Sequence, residues 1–96
     1  MKRSREAIIT EILEVCEEGA TKIRIVYQVN LNFHTVIPYL DLLIKKNLVE
    51  RSDENSNIYK TTSSGIKLLS ELKSIQSHIP EIYDSDSGKH SGLVLG

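Results

Sequence analysis

The chain reads as a mainly α domain carrying a small β-hairpin, an α+β fold. Three observations predict it. Apolar residues recur at helical spacing in four separate stretches. Two short strand-like segments, Leu48–Val49 and Ile58–Tyr59, flank the turn-rich "SDENSN". The chain has 96 residues, enough for one small domain and not two.

The first helix is "REAIITEILEVCEEG", with Ser4 able to cap it. Ile8, Ile9, Ile12, Leu13 and Cys16 form its apolar stripe. Gly19 ends it, being free to take a positive φ. Thr21 can cap a short second helix, "KIRIVYQV", in which Ile23, Val26 and Tyr27 share a face. Lys22 and Arg24 stand in its first turn. "NLN" then makes a tight link in which Leu31 is the apolar plug pointing into the core.

The third helix runs to about Lys46. Val36, Leu40 and Leu43 fall at i, i+4, i+7, with Ile37 and Ile44 flanking, and that face is core. Pro38 leaves two starts open. With Thr35 as cap, Pro38 sits in the first turn, where its missing N–H costs nothing. With a start at Asn32 the helix bends locally, because an interior proline costs roughly 3 kcal/mol unless the structure accommodates it. Lys45 and Lys46 suit the negative end of the helix dipole, and Asn47 can take a left-handed cap.

"LVERSDENSNIYKTT" reads as a two-stranded hairpin. The last helix begins near Thr62, with Ser63 and Ser64 also able to cap, and stops before Pro80. The organisation is therefore residues 1–61, three helices and a wing in the order of a winged helix-turn-helix; 62–79, a C-terminal helix; and 80–96, a polar, Gly/Ser-rich flexible tail.

"TKIRIVYQVNLNFHTVIPYLDLLIKKNLVE" followed by "YKTTSSGIKLL" resembles the small archaeal winged helix-turn-helix transcriptional regulators, including the Sulfolobus chromatin-type winged-helix DNA-binding proteins. The family pattern is carried by Thr21, Lys22 and Ile23; by Tyr39, Leu40 and Leu43; by Leu48; and by Tyr59, Thr62 and Gly65. The resemblance spans residues 5–75. It departs at Asn47, where relatives carry Gly, and at Pro38. It implies DNA binding, transcription regulation and, for several members, dimers built on an antiparallel last helix.

Bulk charge does not itself point to DNA. Net charge is -1, and residues 1–60 balance nine Lys/Arg against nine Asp/Glu. Arrangement must carry the signal. On a third helix starting at Asn32, the residues His34, Pro38, Asp41 and Lys45 make the outward stripe, and Asn32, His34 and Thr35 stand where base edges would be met. There is no Arg on that face, and Asp41 repels phosphate; the plain alternative is a solvated helix face. Lys22 and Arg24 at the second helix, Lys2, Arg3 and Arg5 in a basic arm, and Arg51 and Lys60 beside the wing are expected phosphate contacts, against an alternative of scattered surface charge. Asn55 and Asn57 are expected groove contacts at the wing, whose tip also carries Asp53 and Glu54.

Leu68, Leu72, Ile75 and Ile79 follow a/d spacing and suggest a homodimer seam; packing on the chain's own domain is the alternative. Ile66 and Leu69 lie towards another face and are expected to pack on the domain.

No catalytic residue, metal, cofactor or small-molecule ligand is expected. Cys16 reads as a buried apolar residue, and the three His make no zinc-like spacing with it. One cysteine and no long apolar run fit a soluble cytoplasmic protein with no membrane contact. The two expected partners are double-stranded DNA and a second copy. The alternative function is a winged-helix protein–protein interaction module without direct DNA binding. The near-neutral charge, Asp41 and the acidic wing tip favour it, and the salt dependence of DNA affinity separates the two.

Overall fold

The computed structural model describes residues 4–52, 54 and 57–83. Helix α1 covers Arg5–Val15 and continues as a 3₁₀ turn, Cys16–Glu18. Strand β1 is Ala20–Thr21, helix α2 Lys22–Val29 and helix α3 Phe33–Lys45. Strands β2, Val49–Arg51, and β3, Ile58–Thr61, form the wing. Helix α4, Ser63–His78, is followed by a 3₁₀ turn, Pro80–Tyr83.

The helix starts follow their capping residues. Ser4, Thr21, Asn32 and Thr62 each hold an extended backbone and accept a hydrogen bond from the N–H three residues on. Of the two starts open for α3, the earlier one holds. Asn32 caps the helix, and Pro38 lies beyond its first turn on the exposed side. The His34 carbonyl there has no helical donor, because Pro38 has no N–H. Asn30 ends α2 at φ 59°, and Asn47 turns the chain after α3 at φ 62°. At Asn47 the closure is a Schellman pair: Leu48 N–H donates to the Leu43 carbonyl over 2.8 Å, and Asn47 N–H to Ile44 over 3.0 Å.

One core joins all four helices and the sheet. Ile12, Leu13, Cys16, Ile25, Val29, Val36, Leu40, Leu43 and Val49 are essentially sealed from solvent, and Leu69 brings α4 onto the same cluster. Leu31 packs partly against it, as its place in the turn suggested. Thr61 donates its hydroxyl to the Leu13 carbonyl over 2.7 Å, satisfying a backbone acceptor in the last turn of α1. Gly65 is needed where α4 meets the turn after α3. A Cβ there would collide with the carbonyl of Leu48 and the methyl of Thr61.

Four features depart from the sequence-based expectation. The hairpin is part of a three-stranded antiparallel sheet, ordered β1-β3-β2. Ala20 pairs with Tyr59 and Thr21 with Ile58, so a two-residue segment before α2 closes the free edge of the wing.

On α2 the buried residues are Ile25 and Val29, with Val26 partly covered, while Ile23 and Tyr27 stand 72% and 80% exposed. An eight-residue helix satisfies a helical apolar period on either face, and packing against α1 and α3 selects this one.

On α4, Leu69 is buried as expected, but Ile66 is exposed. Leu68 and Leu72 of the anticipated seam pack partly on the chain's own core, leaving Ile75 and Ile79 exposed.

The first four residues of the expected loose tail, 80–83, are folded. Pro80 stops the helix, and the chain folds back so that Tyr83 is buried. The Tyr83 hydroxyl donates to the Leu72 carbonyl over 2.9 Å and lies 3.2 Å from the Thr10 hydroxyl, tying α4 to α1. Residues 84–96 of that tail lie outside the described residues.

Candidate nucleic-acid interface

Capping by Asn32 sets the rotation of α3. With Val36, Leu40 and Leu43 turned into the core, His34, Pro38, Asp41 and Lys45 form a continuous exposed stripe. Thr35 is half-buried beside it, and its N–H donates to Asn32 Oδ1 over 2.9 Å. That bond engages the side-chain oxygen of Asn32 in the helix itself and leaves its amide N–H groups to face outward chemistry. Phe33 and Leu42, 45% and 43% exposed, border the stripe. Leu42 and Pro38 also line a shallow apolar hollow with Tyr39 and Arg5.

The cations of the sequence reading separate into two environments. Lys22 is half-buried at the start of α2, with its Nζ 5.9 Å from the centre of the Tyr59 ring. Arg51, at the end of β2, brings its guanidinium carbon to 5.3 Å from the same ring. These distances fit cation–π contact. A cavity of about 320 Å³ opens at this point, lined by Thr21, Lys22, Ile23, Asn57 and Tyr59. Lys22 and Asn57, widely separated in sequence, thus meet at one opening, with Arg51 on the adjoining ring.

Arg24 points elsewhere. It lines an open polar cleft with Glu14, Glu17, Glu18 and Gln28, of which Glu14 pairs with Lys73 over 2.6 Å. Lys22 and Arg24 have separate surroundings, because residues 22 and 24 leave a helix roughly 200° apart, whereas Lys22 and Arg51 share the Tyr59 ring. Lys60 stands opposite Glu50 across β2 and β3, one residue out of phase with Arg51 and Tyr59 and therefore on the other face of the sheet. Lys45 is exposed in the last turn of α3. Asn55, Asp53, Lys2 and Arg3 lie outside the described residues.

Tyr59, Ile23 and Tyr27 were not singled out as site residues by sequence. Tyr59 carried a strand signal and a place in the family pattern; its position beside two cations depends on cross-strand register, which brings Ala20 and Arg51 opposite it. Ile23 and Tyr27 carried an apolar periodicity that suited a core face equally well.

Comparisons with known proteins extend this description. A family model for the winged helix-turn-helix matches residues 2–79. An uncharacterized protein of Methanocaldococcus jannaschii is 36% identical over 72 residues, covering 74% of this chain and 71% of that protein. The crystal structure of Sso10a-2, a DNA-binding protein from Sulfolobus solfataricus, matches with a TM-score of 0.72 at 24% identity over 96% of this chain and 97% of that one. That structural likeness is one of fold.

Proposed function

Because the chain belongs to the winged helix-turn-helix family, we propose that it binds double-stranded DNA and regulates transcription. Helix α3 enters the major groove, and the wing and the start of α2 lie on the flanking phosphates. The carrying observation is the convergence of Lys22 and Arg51 on Tyr59, beside a cavity that Asn57 shares. Two cations held at the junction of α2 and wing supply a local positive site on a chain whose net charge is -1. The fold shared with a DNA-binding protein of Sulfolobus solfataricus supports the same reading.

His34, Thr35 and the free amide of Asn32 supply the hydrogen bonds to base edges, and Lys45 a phosphate contact at the far end of α3. A second copy of the chain docks on the exposed end of α4, where Ile75, Ile79 and Ile82 stand open. Leu68 and Leu72 contribute from below while packing mainly inward. The dimer then sets the spacing of two recognition helices.

The test is fluorescence anisotropy with a labelled random duplex over a range of salt, beside the mass of the protein in solution. A DNA binder loses affinity steeply with salt, with a slope that counts phosphate contacts. Asp41 and the exposed Phe33 and Leu42 favour a second reading, in which α3 presents to a protein partner. Absence of duplex binding at low salt selects that one.

A further inference from the structure

Lys22 and Arg51 come from segments that sequence keeps far apart. What brings them together is the sheet. Ala20 and Arg51 are the cross-strand partners of Tyr59 on its two sides, so the three side chains line up on one face. Ala20 is small and buried, and Lys22 follows two residues later, just beyond the strand. The Tyr59 ring, only 4% exposed, therefore lies between the strand that leads into α2 and the strand that leads into the wing.

We propose that Tyr59 is a positioning residue for phosphate binding, whose ring holds the Lys22 ammonium and the Arg51 guanidinium as one clamp across the α2–wing junction. The proposal rests on the DNA reading above and adds which residue organises its backbone contacts. Without the ring between them, two like charges flanking one site would repel and their flexible side chains would splay, lowering the local field. The negative face of an aromatic ring offsets that repulsion and fixes both head groups. An incoming phosphodiester then meets cations already in place, so less side-chain entropy is lost on binding. The other nearby cations do not share this arrangement, since Arg24 lies among carboxylates and Lys60 stands on the opposite face of the sheet.

Tyr59→Phe keeps the ring, and with it both cation contacts. Tyr59→Leu keeps bulk and removes the π-system. The experiment measures anisotropy of a labelled random duplex across salt for the wild type, both Tyr59 variants, the Lys22→Ala/Arg51→Ala pair and that pair combined with Tyr59→Leu. All are run below their thermal transitions.

Tyr59→Phe is expected to bind like wild type. Tyr59→Leu should bind about threefold to tenfold more weakly, yet have no further effect once both cations are gone. A merely structural role would weaken the cation-less protein as well. A wild type that binds with a steep salt slope while Tyr59→Leu matches it overturns the clamp alone. A wild type that binds no duplex overturns the DNA reading and the clamp together. Where Tyr59→Leu fails to fold, proton NMR of the wild type decides. Ring-current upfield shifts of the Lys22 ε-methylene and Arg51 δ-methylene are expected, and resonances at their ordinary positions overturn the proposal.

Discussion

The hydroxyl of Thr62 donates to the carbonyl of Asn47 over 2.7 Å while accepting from the N–H of Gly65 over 3.0 Å. The Thr62 N–H also donates to Leu48 over 3.0 Å. One residue thus caps α4 and pins it to the left-handed turn that ends α3. That contact fixes the start of α4 against the turn that joins α3 to β2.

This junction makes a graded prediction. Thr62→Ser keeps both hydroxyl bonds and should change stability little. Thr62→Ala removes a cap and a bond to a backbone carbonyl and should cost about 2 kcal/mol. Gly65→Ala forces a methyl against backbone that has no room to yield, and about 3 kcal/mol or more is expected. Urea unfolding midpoints of the three variants check the order. A Gly65→Ala protein as stable as wild type would mean that α4 does not approach the turn this closely.

Cys16 predicts a pH dependence. Burial pushes its thiol up to about 12 from an ordinary 9.0, because desolvation disfavours the charged thiolate. The folded state keeps the proton where the unfolded state releases it. The stabilisation from this group is therefore whole below pH 9 and declines by about 1 kcal/mol for each pH unit between 9 and 12. Compared with Cys16→Ala, the wild type should lose stability faster above pH 9. The same burial predicts no reaction with thiol reagents at pH 8 until urea unfolds the chain.

The two cations of α2 should behave differently. Lys22→Ala should weaken binding to every duplex and lower the salt slope by about one unit. Arg24→Ala, which leaves a cleft of carboxylates, should leave the slope unchanged. Equal slope changes in the two variants would place Arg24 on the DNA after all.

The exposed end of α4 carries the dimer prediction. Ile75→Lys with Ile79→Lys adds charge at positions 42% and 49% exposed, so the fold should survive. Sedimentation should show a dimeric wild type and a monomeric variant with the same circular dichroism. A wild type that sediments as a monomer at high concentration removes the interface.

Much of this architecture is legible from local sequence. Ser4, Thr21 and Thr62 cap the helices that follow them, and Asn30 and Asn47 take left-handed backbone. Each of these signals acts within a few residues of chain. Val36, Leu40 and Leu43 face the core because a long apolar helix admits one orientation. Those features, with the turn between α2 and α3, are enough for the family. Strand β1 is different. Ala20 and Thr21 have no alternation to read, and they are a strand only because β3 offers an open edge to a segment almost forty residues earlier. The orientation of α2, the inward lean of Leu68 and Leu72, and the return of Tyr83 onto Thr10 are decided the same way, by which surface lies opposite when the chain closes. The meeting of Lys22 with Arg51 belongs to that second group. Strand register across a loop places two charges on one ring, and no spacing along the chain records it.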